Sequence, residues 1–239
     1  LPVYIRLIDV TEDKAGDVFS RYGGHVEAPF SGATFLLSWP ELLETQARAI
    51  AGAAAYGPVR VIYPMVSDAD QFVELRRLFQ AAISRGPSTP VLHGAMIEQP
   101  SACNDAERIL EEADFANLGT NDLTRYILNV DRNVAISSAG RLSNSRELWE
   151  AIGHVADVAS CLKKELIVCG EMASDLRLTR RFTQLGIRSF SMDTKKIRHL
   201  RRAMPKRSRR GSHRRRSGTA HRAEVFEEEP QHAGERGAG

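Results

Sequence analysis

Phe115-Ala116-Asn117-Leu118-Gly119-Thr120-Asn121-Asp122 is a short apolar run that ends abruptly in an amide and a carboxylate. Its apolar residues are near-continuous rather than strictly alternating, the pattern of a strand covered on both faces. The same form recurs upstream at 91–98, which closes on Met96-Ile97-Glu98-Gln99-Pro100, and downstream at 166–171, which closes on Val168-Cys169-Gly170-Glu171. Further out, 3–9, 59–65 and 189–192 complete a set of six predicted strands. Amphipathic stretches separate them, at 40–56, 68–85, 101–112, 145–164, 174–185 and 195–204. Several open on a capping residue or an early proline, as at Ser38-Trp39-Pro40 and Ser67-Asp68.

Strands alternating with helices predict a parallel sheet with right-handed crossovers. An open doubly wound sheet is the competing architecture, and it would gather polar residues at one switch point. Here they stand at the C-terminal end of nearly every strand, where (β/α) barrels carry their sites. The fold expected is therefore an α/β, TIM-type (β/α)8 barrel over 1–204. It has six βα units where closure needs eight, and so lacks about the first two.

Composition bounds the rest. The 239 residues are 42% hydrophobic and 26% charged, enough for one barrel-sized core. No apolar run is long enough to span a bilayer, and the N-terminus carries neither a secretory pattern nor an initiator Met, as a fragment would. Cys103, Cys161 and Cys169 are odd in number and widely spaced, which argues against a disulfide framework and for a reducing, cytoplasmic setting. Cys103 and Cys161 read as small buried hydrophobes. Residues 205–239 hold nine Lys/Arg and five Glu, so the basicity lies in this tail while the body is nearly neutral. The tail is expected to be disordered. It interleaves no aromatics for base stacking among its arginines, so nucleic acid is not an expected partner.

The strand ends carry the chemistry. Neighbouring strands lie about 4.8 Å apart, so Glu98 and Asp122 can converge on one hard cation. Mg2+ takes one or two carboxylates plus substrate oxygens and water. The plainer alternative makes both residues helix-cap or loop carboxylates. Asn121 and the Gly119 turn offer an amide and backbone N–H groups to a phosphate or carboxylate. Arg6, Lys14 and Arg132 add cations for a small, highly charged anion. Cys169 can give or take a proton or act as a nucleophile, although no histidine stands near it in sequence.

These residues resemble a known family. GTNDLTRYILNVDRN (119–133), VCGEMASD (168–175) and FSMD (190–193) are similar to the C-terminal barrel of Enzyme I. Enzyme I is the phosphoenolpyruvate–protein phosphotransferase of the bacterial sugar phosphotransferase system. RLIDVTEDK, RVIYPM and MIEQP fit in the same order. Pyruvate phosphate dikinase and phosphoenolpyruvate synthase share the barrel, but the DLTxYxLxVDR segment is closer to Enzyme I. The resemblance implies Mg2+ held by Glu98 and Asp122, and phosphoenolpyruvate bound by Arg6, Asn121 and Arg132 with Lys14 nearby. Cys169 would protonate the enolate carbon to give pyruvate, supported by Glu171. The phosphoryl group would pass to a histidine-bearing domain or phosphocarrier protein on another chain, and the barrel would form a homodimer. Against the family pattern, Thr34 stands where a phosphate-binding arginine is expected, Thr11-Glu12 replaces a Gly-Gly, and 133–141 lacks a proline-containing run. The expected function is a phosphoenolpyruvate-protein phosphotransferase-like barrel. The alternative is a catalytically dead regulatory or dimerisation subunit.

Overall fold

Residues 1–9, 32–84, 90–130 and 142–203 are described by the computed structural model. In chain order they form β1 (Val3–Arg6), α1 (Gly32–Ser38), α2 (Pro40–Ala54), β2 (Val59–Tyr63), α3 (Ala69–Ile83), β3 (Val91–Ile97), α4 (Pro100–Asn104), α5 (Ala106–Glu112) and β4 (Phe115–Gly119). Then come α6 (Thr120–Leu128), α7 (Arg146–Cys161), β5 (Glu165–Cys169), α8 (Leu176–Gln184), β6 (Ser189–Phe190) and α9 (Thr194–Ala203), with 3-10 turns at Leu142–Asn144 and Glu171–Ser174. The strands make one parallel sheet in the order β1-β2-β3-β4-β5-β6. All six predicted strands form. Each ends two or three residues short of its predicted run, or one in β3, because the polar tips leave the ladder.

Two helices were not expected. α1 is one, and α6 is the other: the predicted strand 115–122 breaks at Gly119, so Asn121 and Asp122 lie in the first turn of a helix rather than at a strand tip. The predicted helix 101–112 is two, broken at Asp105, whose Oδ2 accepts from the Ala69 N–H at 2.8 Å and so anchors the start of α3. Asp68 caps α3 as expected, its Oδ1 accepting from Gln71 N at 2.8 Å. Ser38 caps nothing. Its hydroxyl donates back to the Thr34 carbonyl at 2.9 Å, and α2 starts on the proline that follows Trp39. Cys103 is buried, but Cys161 is exposed, since it falls off the apolar face of α7 defined by Leu148, Ile152, Val155 and Ala159.

The sheet is curled into a half-barrel. In a flat sheet, strands three positions apart stand about 14 Å from one another. Here Arg60 on β2 reaches Glu165 on β5 at 2.6 Å, and the Tyr4 ring on β1 meets Phe115 on β4 edge-on at 5.5 Å. These contacts close across the concave face. On the convex face the helices pack over Val61, Tyr63, Ala95, Ile97, Ala116, Leu118 and Val168, which form the main core with Phe72, Phe79 and Trp149. A second, small apolar cluster of Ile62, Met96, Phe115 and Ile167 lines the lumen. Gly94 makes room for it, because a Cβ there would stand 2.3 Å from the Phe115 ring. No helix among the described residues is long and apolar enough to cross a membrane. The tail 205–239, expected to be disordered, lies outside the described residues.

Candidate active site at the mouth of the half-barrel

A closed barrel fills its interior with layers of side chains. The half-barrel leaves a cavity of about 1010 Å3 instead. Arg6, Glu98, Asn121, Asp122 and Cys169 all line it, so five of the eight residues proposed from sequence share one space. Lys14 and Arg132 lie outside the described residues. Glu171 does not line the cavity.

Glu98 is only 3% exposed. Its Oε1 accepts from the Met65 N–H at 2.9 Å, and the neighbouring Gln99 amide donates to the Met65 carbonyl at 2.7 Å. The chain at Met65 is thereby pinned in a left-handed turn, φ 51°. Glu98 Oε2 lies against the Cα of Gly119, where a Cβ would come within 2.4 Å, so any other residue would push the carboxylate aside. Burial, opposed by the Met65 hydrogen bond and Arg6 and assisted by the like charges of Asp122 and Asp9, raises the Glu98 carboxyl to about 8. Asp122 stands 3.4 Å from Arg125.

The start of α6 is laced to the end of β5. Thr120 Oγ1 donates to the Cys169 carbonyl at 2.6 Å, and Asn121 Oδ1 accepts from the Glu171 N–H at 2.8 Å. Gly170 permits both, since its φ of 90° suits glycine and a Cβ would lie 2.5 Å from Thr120 Oγ1. With its oxygen committed, the Asn121 amide keeps its N–H2 group as the donor on the residue that lines the cavity. Cys169 Sγ donates to the Leu118 carbonyl at 3.4 Å. Burial, helped by the Glu98 charge and opposed by Arg6, pushes its thiol up to about 12. It is therefore a thiol and not a thiolate at neutral pH.

Several lining residues escaped the sequence reading. Asn117 projects from β4 into the lumen, and Ile197 and Arg201 of α9 also face it. Asp9 accepts from Gly32 N at 3.0 Å and ties the chain just after β1 to the start of α1. Thr34 sits on α1, accepting from Gln71 Nε2 at 3.3 Å, and does not line the cavity. Among the described residues no group of three or more His, Cys, Asp or Glu converges to hold a metal ion.

Fold and site together define a (β/α) barrel domain opened to a half-barrel, with acid, amide, guanidinium and thiol at the C-terminal strand ends. Residues 1–209 match the family model described as PEP-utilising enzyme, PEP-binding domain, and the chain belongs to that family. It is 33% identical over 201 residues to a phosphoenolpyruvate-protein phosphotransferase of Chlamydia pneumoniae, covering 84% of this chain and 34% of that protein. Proteins of the same name from Chlamydia trachomatis serovar D and Cupriavidus necator are each 35% identical, covering 78% and 80% of this chain and 32% and 34% of theirs. The chain thus spans about a third of the length of these relatives. A solved HpcH/Hpal aldolase/citrate lyase family protein from Burkholderia cenocepacia J2315 aligns with TM-score 0.44 at 16% identity, over 69% of this chain and 79% of that one.

Proposed function

We propose that the half-barrel binds phosphoenolpyruvate with Mg2+ at its mouth and protonates the enolate when the phosphoryl group leaves for a histidine on another domain or chain. One observation carries the reading: Arg6, Glu98, Asn121, Asp122 and a protonated Cys169 line a single cavity. Membership of the family supports the same substrate. Arg6 and the Asn121 amide suit the anionic groups of phosphoenolpyruvate. Arg132 and Lys14 belong to the same reading by their place in the sequence.

The residues fit Mg2+. Glu98 and Asp122 are hard oxygen donors, and two carboxylates suffice when substrate and water complete the shell. A cation would also relieve the like-charge strain that Asp122 and Asp9 impose on Glu98. When bound, Mg2+ neutralises charge on the phosphoryl and enolate oxygens. The chain's own residues do the rest. As the P–O bond to the enol oxygen breaks, a P–N bond forms to the acceptor imidazole. The enolate electron pair then takes the Cys169 proton at C3, giving pyruvate and a Cys169 thiolate that must regain a proton. A buried thiol held by the Leu118 carbonyl suits a proton donor better than a nucleophile. Glu171 acts here through its backbone, fixing Asn121. His93 cannot serve as acceptor, because its ring packs in the outer core with Tyr63 and Phe79. The homodimer and the phosphocarrier partner belong to the same proposal.

Proton transfer can be tested without the acceptor histidine. Pyruvate in D2O with Mg2+ should exchange its methyl protons when the chain is added, followed by proton NMR. Chelator, Cys169→Ser and Glu98→Gln should each abolish exchange. A calorimetric titration of phosphoenolpyruvate should show binding that Cys169→Ser retains and Glu98→Gln loses. Binding without exchange would favour the non-catalytic subunit, a reading supported by the lumen being open where catalysis profits from excluding water. Absence of both in a folded sample would sink the proposal.

A further inference from the structure

Asn117 is out of place. It sits on the inner face of β4, in register with Met96 on β3 and Ile167 on β5, and these two belong to the small apolar cluster of the lumen. It is only 4% exposed, and its Oδ1 has no hydrogen-bond partner among the described residues. A buried acceptor left unmade is costly, so an apolar residue at this position would stabilise the layer. Retaining the amide makes sense if something in the cavity donates to it. Phosphoenolpyruvate has no donor on its three-carbon frame, which leaves water as the donor to satisfy Oδ1. The same side chain interacts with Cys169, lowering the thiol against the effect of burial, as an amide N–H2 that favours the thiolate would. Asn117 also stands one layer below the ends of β4 and β5 and lines the cavity.

We propose that Asn117 is a positioning residue that holds a water against Cys169, through which the thiolate regains its proton after each turnover. The inference rests on the proton-transfer role of Cys169 given above. In the step, a water O–H bond breaks and an S–H bond forms at Cys169. The second O–H of that water stays hydrogen-bonded to Asn117 Oδ1, and the hydroxide is neutralised by a proton from solvent through the lumen. The N–H2 group steadies the thiolate until the proton arrives.

The experiment is methyl-proton exchange of pyruvate in D2O with Mg2+ and the full chain, comparing wild type, Asn117→Leu and Asn117→Ser. Leucine keeps the volume and removes both amide functions; serine keeps a hydroxyl that can hold the water. Asn117→Leu should exchange at least about tenfold more slowly, bind phosphoenolpyruvate as wild type does, and recover with rising concentration of a small acidic buffer. Asn117→Ser should fall between the two. Full-rate exchange by Asn117→Leu would overturn the role of Asn117 while leaving that of Cys169 standing. So would a rate loss that tracks lost binding and ignores buffer, because that is the signature of a packing residue. Wild type that neither exchanges nor binds would overturn both.

Discussion

His93 shows how one buried side chain couples stability to pH. Its Nδ1 lies 2.9 Å from the Tyr63 hydroxyl, its ring meets Phe79 edge-on at 5.2 Å, and its backbone N–H donates to Asp114 Oδ2 at 2.7 Å. Burial lowers its pKa to about 4, with Asp114 opposing and Arg76 assisting. Between about 4 and the ordinary 6.5, the unfolded chain therefore holds a proton that the folded one refuses. Stability from this group is complete above the upper value and drains away as acid is added, by up to about 1.4 kcal/mol per pH unit. Urea unfolding at pH 7 and pH 5 should show wild type losing more stability than His93→Asn, which keeps an amide near Nδ1 and cannot titrate. Equal losses would assign the acid sensitivity to carboxylates instead. At this scale the sequence is legible where a signal is local. Glu98, Asn121 and Cys169 end apolar runs, and that alone marked them. His93, Asn117 and Thr120 owe their roles to partners distant in sequence, and no local pattern betrays them.

The curl of the sheet is held from below by a polar hub on the strands themselves. Arg60 on β2 pairs with Glu165 on β5 at 2.6 Å and donates to the Tyr4 hydroxyl on β1, while Ser189 on β6 donates to Glu165 at 2.7 Å. The guanidinium also lies over the Tyr4 and Phe115 rings, 5.1 and 5.5 Å from their centroids. A partly exposed ion pair contributes only about 1 kcal/mol. Its leverage is geometric, since the mouth residues converge only while the strands bend toward one another. Arg60→Met should cost about 1 kcal/mol in denaturant unfolding, yet weaken phosphoenolpyruvate binding measurably. The pair Arg60→Glu with Glu165→Arg should recover part of both. Unaltered binding in Arg60→Met would mean that the backbone alone sets the curve. Nothing in the runs 59–65 and 166–171 announces this hub, because the predicted strands give direction and order but not curvature. The element signals failed at α1 and α6 for related reasons. α1 is seven residues framed by Gly, Ser, Trp and Pro, too short for a helical period, and its Phe35 and Leu36 are buried by tertiary packing. α6 follows β4 without a loop, so strand and helix read as one apolar run.

A barrel that closes has no sheet edges, whereas this sheet has β1 and β6 at its two ends. β6 is two residues long, and α9, which follows it, turns Ile197 and Arg201 toward the lumen. β1 is the more hazardous edge. Its Val3 N–H is satisfied by the Pro58 carbonyl on the β2 side, but no described strand pairs with its other side. Val3 is 58% exposed there, with Tyr4 and Ile8 also showing large apolar surface. An exposed apolar edge is a template for another strand, and a charged residue on it is a common protection. The chain should therefore self-associate as concentration rises, and Val3→Lys should shift it toward monomer in sedimentation velocity. Val3 does not line the cavity, so the variant should bind phosphoenolpyruvate as wild type does. Association unchanged by the lysine would place any dimer contact on the helical face. Loss of binding together with association would have a different meaning: the pairing of β1 with a second strand would then be what holds Arg6, three residues further along the same strand, in the mouth.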